Sequence, residues 1–117
     1  MDVREQIRAY LVNPEMLYKE WYIERSKYKL DIETGEEIGV FTDWKNEFNG
    51  WINTHISKLQ KIICPNIGKI KAATTQVDMV LEIIDIIEQQ PYVAAVKQTA
   101  TLLFLYGIEK LCQDYAA

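Results

Sequence analysis

The chain has 117 residues, 49% of them hydrophobic and 26% charged, with three prolines and five glycines. That length and balance suit one folded domain, 1–117, with its own core, and exclude a disordered tail. The net charge of −4 excludes a uniformly basic nucleic-acid binder, but it is segregated: residues 1–40 carry −3, residues 41–76 carry +3 and residues 77–117 carry −4.

Asp2, Arg4, Glu5 and Arg8 occupy the place of an apolar signal region. The longest uncharged stretch, Gln98 to Ile108, falls well short of the roughly 20 residues that span a bilayer. A soluble cytoplasmic protein with no membrane contact is expected. Cys64 and Cys112 lie far apart without a C-x-x-C spacing, which suits reduced thiols in a cytoplasm better than a disulfide framework, a single bridge being the alternative.

Asp2 is placed to cap a short first helix in which Val3, Ile7, Tyr10 and Leu11 share a face, ending at Asn13-Pro14 because the residue before proline resists the helical region. Pro14 suits the first turn of a second helix, running to about Lys27, with Leu17, Trp21 and Tyr28 at helical spacing. The period then changes. Tyr28, Leu30 and Ile32 alternate with charged residues, Glu33-Thr34-Gly35-Glu36 supplies turn chemistry, and Ile38 and Val40 alternate again, which predicts a β-hairpin at about residues 28–41.

Thr42 or Asp43 opens a long third helix whose seam is Trp44, Phe48, Trp51, His55, Leu59 and Ile62, flanked by Ile52, Ile56 and Ile63. Gly50 lies inside it, marking either a close approach or a weak point. Cys64 to Gly68 stops that helix, and a fourth is predicted from about Lys69 to Gln90. Between Val77 and Ile87 it is apolar all round except for one stripe of Asp78, Glu82 and Asp85. Such a helix is packed on several sides, by its own chain or by a partner. A fifth helix, from Pro91 to about Asp114, places Val93, Val96, Ala100, Leu103, Gly107 and Leu111 on one face. The predicted fold is therefore mainly α: a four- to five-helix bundle with one β-hairpin inserted.

His55 is the only histidine and sits on an apolar seam, so it reads first as a core residue and second as the centre of a small enzyme. The acidic stripe lacks the Glu-x-x-His spacing of helix-bundle metal centres and reads as a solvated edge. Lys58, Lys61, Lys69 and Lys71 bracket the 64–68 connection; they form a candidate anion site, without the glycine spacing of a Walker loop. Trp21 and Tyr22 are adjacent on one helix and cannot face the same way, so they are candidate partner contacts.

No residue set composes a catalytic machine, and neither a cofactor nor a metal is implied. The expected function is a non-enzymatic protein–protein interaction module, either a small subunit of a larger assembly or a homo-oligomer. Its alternatives are a nucleic-acid-associated or anion-binding regulator using the basic patch at residues 58–71, and a small enzyme using His55.

Overall fold

The computed structural model describes residues 2–26 and 41–115, and over these the chain is built from helices. α1 (Val3–Val12) opens with the Asp2 carboxylate accepting from the Glu5 amide at 2.9 Å. This is the N-terminal cap that the sequence predicts. α2 (Pro14–Ser26) follows after Asn13. Trp21 is fully buried, its indole edge-on to the Phe48 ring at 5.0 Å and to Trp51 at 6.5 Å.

The β-hairpin insert is corrected. No strand or sheet occurs among the described residues, and Phe41, the last residue of the predicted hairpin, is the first residue of the 23-residue α3 (Phe41–Ile63). The remainder of that prediction, residues 28–40, lies outside the described residues. α3 buries Trp44, Phe48, Trp51, Ile52, Leu59 and Ile63. The seam thus drifts from Trp51 through Ile52 to Ile63, as a period of 3.6 requires over six turns.

The predicted fourth helix is two helices. After a 3-10 turn at Cys64–Asn66, α4 (Ile67–Ala72) stops at Ala73, whose backbone is extended, and α5 (Gln76–Ile87) starts afresh. The break has a local cause. The Thr75 hydroxyl accepts from the Asp78 amide at 3.0 Å, so a cap is formed where continuous helix was expected.

The fifth helix is also divided. Pro91 lies in a turn-rich connection, not in a first helical turn, and α6 (Val96–Tyr106) begins five residues later, behind Ala95 with φ +51°. Gly107, at φ +109°, separates it from the short α7 (Ile108–Leu111). Only glycine takes that angle without strain.

α5 packs on α1, α3, α4 and α6, as an almost wholly apolar helix must. The most enclosed element, however, is α6, which packs on α1, α2, α5 and α7 and buries six consecutive residues, Gln98 to Leu103. Six consecutive positions cover the whole circumference of a helix. Its two threonines bond carbonyls of the same segment, the Thr99 hydroxyl donating to the Ala94 carbonyl and the Thr101 hydroxyl to the Lys97 carbonyl, each at 2.9 Å, while Gln98 Nε2 donates across to the Tyr10 hydroxyl of α1. Among the described residues no helix is long and apolar enough to cross a membrane.

Cys64 and Cys112 form a disulfide across a sequence separation of 48, joining the 3-10 turn to the end of α7. The expectation of reduced thiols is thereby corrected, and with it goes the cysteine argument for a reducing compartment. Sequence spacing is silent on the 5.6 Å Cα separation that permits the bond.

Candidate functional site

An open cleft of about 740 Å³ lies where α1 and α2 meet the connection leading into α6. Gln6 and Tyr10 line it from α1, Glu20 and Glu24 from α2, and the continuous segment Pro91 to Gln98 forms its third wall. This wall exists because the chain does not enter a helix at Pro91. Gln90 donates to the Ile87 carbonyl at 3.0 Å and Val93 to the Gln90 carbonyl at 3.1 Å, folding the backbone into turns up to the left-handed Ala95. A left-handed non-glycine residue costs of order 1 kcal/mol and persists only where the surroundings hold it.

Tyr10 ties the three walls together. Its hydroxyl donates to Glu20 Oε1 at 2.7 Å and accepts from Gln98 Nε2 at 3.0 Å. Burial and the Glu20 hydrogen bond push its pKa far above the usual phenol value, so it is a neutral donor. On the remaining side Lys97 Nζ donates to Gln6 Oε1 at 2.8 Å. Sequence reasoning singled out none of these residues for function. The available signal was the polar run Gln98, Thr99 and Thr101 inside an otherwise apolar helix, a set of groups that burial obliges to find partners.

The predicted contacts lie elsewhere. Trp21 has no exposed surface, so its ring packs the core instead of facing a partner; Tyr22 is half-buried against that core. Lys58, Lys61, Lys69 and Lys71 are all exposed, but three are engaged within the chain. Lys58 Nζ lies 5.1 Å from the centre of the Tyr92 ring, Lys69 pairs with Glu82 at 3.6 Å, and Lys71 pairs with Glu109. The acidic stripe is engaged too: Asp78 pairs with Arg4 at 2.7 Å, and that hydrogen bond holds its carboxyl below the usual range. Its charges therefore clamp α5 to α1 and α4, while Asp85 faces solvent.

His55 is half-buried in an aromatic stack, 4.8 Å from Tyr92 at an interplanar angle of 17° and 5.1 Å from Trp51. A second, smaller pocket of about 250 Å³ lies beside it, lined by Arg25, Glu47, Gly50, Trp51 and Thr54 among others. Burial pushes the His55 pKa down, helped by the Lys58 and Arg25 cations, and its Nδ1 is buried without a hydrogen-bond partner. Among the described residues no group of three or more His, Cys, Asp or Glu side chains is arranged to hold a metal ion. No family model, curated protein or solved structure matches the chain.

Proposed function

We propose that this protein is a non-enzymatic interaction module that receives a segment of a protein partner in the cleft between α1, α2 and residues 91–98. The observation that carries this reading is the cleft's construction. Three separate elements are joined into one lining through a single buried tyrosine hydroxyl, while the third wall is irregular backbone held at a left-handed alanine. Concave sites with a few convergent polar groups are where ligands are usually taken, and the volume lies in the range of such sites. Irregular backbone also offers amides and carbonyls that a helix keeps for itself. His55, the single histidine, lines the smaller pocket and not this one, which favours recognition over acid–base chemistry here.

Among the described residues the large exposed apolar side chains are Val3, Val12 and Leu105, and none of them lines the cleft. The test is chemical crosslinking in the native host with wild type and with Val93→Arg, which fills the cleft from its own wall. A protein recovered with wild type and lost with a variant of unchanged helicity and melting temperature supports the module. Equal recovery with both, or no recovery above background, overturns it.

A further inference from the structure

Within that module reading, on which the following step rests, the cleft is joined to the smaller pocket by one residue, Tyr92. Tyr92 belongs to the turn-rich wall of the cleft, yet its ring packs on α3. It stacks on His55 at 4.8 Å and 17°, lies 6.4 Å from Trp51, and has Lys58 Nζ 5.1 Å from its centre. His55 in turn lines the smaller pocket. A single pair of stacked rings therefore connects the wall offered to a partner with a titratable side chain that is not part of the cleft.

Both members of that pair are poorly satisfied. Among the described residues, His55 Nδ1 and the Tyr92 hydroxyl are the buried side-chain polar atoms without a hydrogen-bond partner. Each costs free energy where it lies, so ring contact, and not a side-chain hydrogen bond from Tyr92, holds this part of the wall to α3. Protonation raises the cost on the His55 side. An imidazolium carries N–H donors on both nitrogens, and the buried one has no acceptor. The face of an aromatic ring attracts a cation, but Lys58 is already placed on Tyr92, and its charge together with that of Arg25 opposes a second one. Relief lies beside the ring: the pocket of about 250 Å³ gives it room to turn and be hydrated, and is lined by the Glu47 carboxylate, whose bond to Arg25 is long at 3.4 Å.

We infer that protonation of His55 unstacks it from Tyr92 and releases the third wall of the cleft, so that acidification weakens the partner's site while the rest of the bundle stays folded. Linkage fixes the sign. The stacked form resists the proton and the open form accepts it, so a lower pH populates the open form. Tyr92 takes no part in the titration, because burial raises its phenol pKa above the ordinary value. The charged groups around the pair are Arg25 from α2 and Glu47 and Lys58 from α3; on the cleft side stand Glu20 and Glu24 from α2 and Lys97 from α6.

The test uses the full chain, isotope-labelled and titrated from about pH 7.5 to about pH 5, across the ordinary histidine range. Three signals are followed by nuclear magnetic resonance: the His55 ring protons, the ring-to-ring Overhauser contacts between His55 and Tyr92, and the backbone amides of Tyr92 to Ala95. These amides are expected to shift with the midpoint of His55 itself and the ring contacts to vanish below it, while the amides of Ala100 to Leu103 in α6 hold their positions. His55→Phe, which keeps a ring in the stack, is expected to remove the shared midpoint; should that variant fail to fold, the wild-type ring contacts still decide. Wall amides that titrate apart from His55, ring contacts that survive its protonation, a midpoint retained in His55→Phe, a ring still neutral at about pH 5, or loss of the α6 signals together with the wall overturns the inference. Partner capture, repeated at the two pH extremes with a photo-crosslinker, whose yield does not depend on amine protonation, is expected to be lost at the lower one. Capture that depends on Val93 but is equal at both overturns the switch alone. Capture indifferent to Val93→Arg overturns the module.

Discussion

His55 shows how much one side chain can set. Its ring stacks on Tyr92 with Trp51 tilted beside it, its Nδ1 is buried without a partner, and Lys58 and Arg25 are the cations that act on it. Burial first, and then the Lys58 and Arg25 charges, disfavour the imidazolium, so the folded-state pKa lies below the ordinary value of 6.5. The unfolded chain then binds a proton that the folded chain resists. Stability is accordingly full above pH 6.5 and falls as the pH drops through that value toward the lower folded-state pKa. Wild type is expected to lose stability in chemical denaturation between about pH 7 and pH 5. His55→Phe, which keeps the stack and removes the titration, is expected to flatten that limb while remaining at least as stable at pH 7.5. A variant that retains the wild-type slope would show that other groups carry it. The sequence marked His55 as a seam residue, but the orphaned nitrogen depends on Tyr92, 37 positions away, and no local pattern reveals it.

At the scale of elements, the helices are read well where one face is apolar and badly where all faces are. α1, α2 and α3 have polar sides, so period and caps locate them. Within α5 and α6 the apolar residues lie on nearly every face, and hydrophobic period no longer marks where a helix stops. Caps decide the matter. Thr75 with Asp78 three residues on is a helix-start signature legible in the sequence, and it splits α4 from α5. Thr75→Ala is expected to lower stability by about 1 kcal/mol, the usual cost of losing such a cap, read as a fall in the denaturation midpoint. Gly50 resolves in the opposite direction. It is exposed, and a Cβ placed on it meets nothing within 4 Å, so no close approach requires it and the weak-point reading holds. Gly50→Ala should therefore raise stability by roughly 0.5–1 kcal/mol in the same measurement, through backbone entropy alone. No gain would mean that the pocket beside His55 uses the glycine in a way the packing does not show.

For the molecule as a whole, a disulfide and a hydrogen bond join the Lys71–Glu109 pair in fastening the α7 region to the middle of the chain. The Cys64–Cys112 bond closes a separation of 48 residues, and beside it Gln60 Nε2 donates to the Leu111 carbonyl at 2.9 Å. Chain-entropy arithmetic for a loop of that size gives about 4 kcal/mol as the stabilisation lost when the bond is opened. Cys112→Ser, or wild type under reductant, is expected to unfold at clearly lower denaturant, with both routes agreeing. A variant as stable as the oxidised wild type would place the fastening elsewhere, in the α3–α7 packing and the Gln60 bond. The core itself is centred on α6, which α5 shields on one side and α1 and α2 on another. The expectation that the helix over 77–87 is packed on several sides fits α5, and α6 is enclosed further still. Both helices are greasy, and what distinguishes them is that α5 keeps a charged edge clamped by Arg4 and Lys69, whereas α6 buries even its glutamine and threonines.

The sequence by itself determined that this is a mainly helical chain of one domain's length, with Asp2 and Pro14 starting its first two helices and a tryptophan seam along the third. Those features rest on interactions within a few residues, where local spacing is the physics. Only the tertiary structure decided which greasy helix is central, that Trp21 is a core residue, that the two cysteines meet, and that Tyr10, Glu20 and Gln98 converge on one cleft. Each of those facts joins residues from separate elements. Their partners are chosen by packing, to which the order of the residues along the chain is blind.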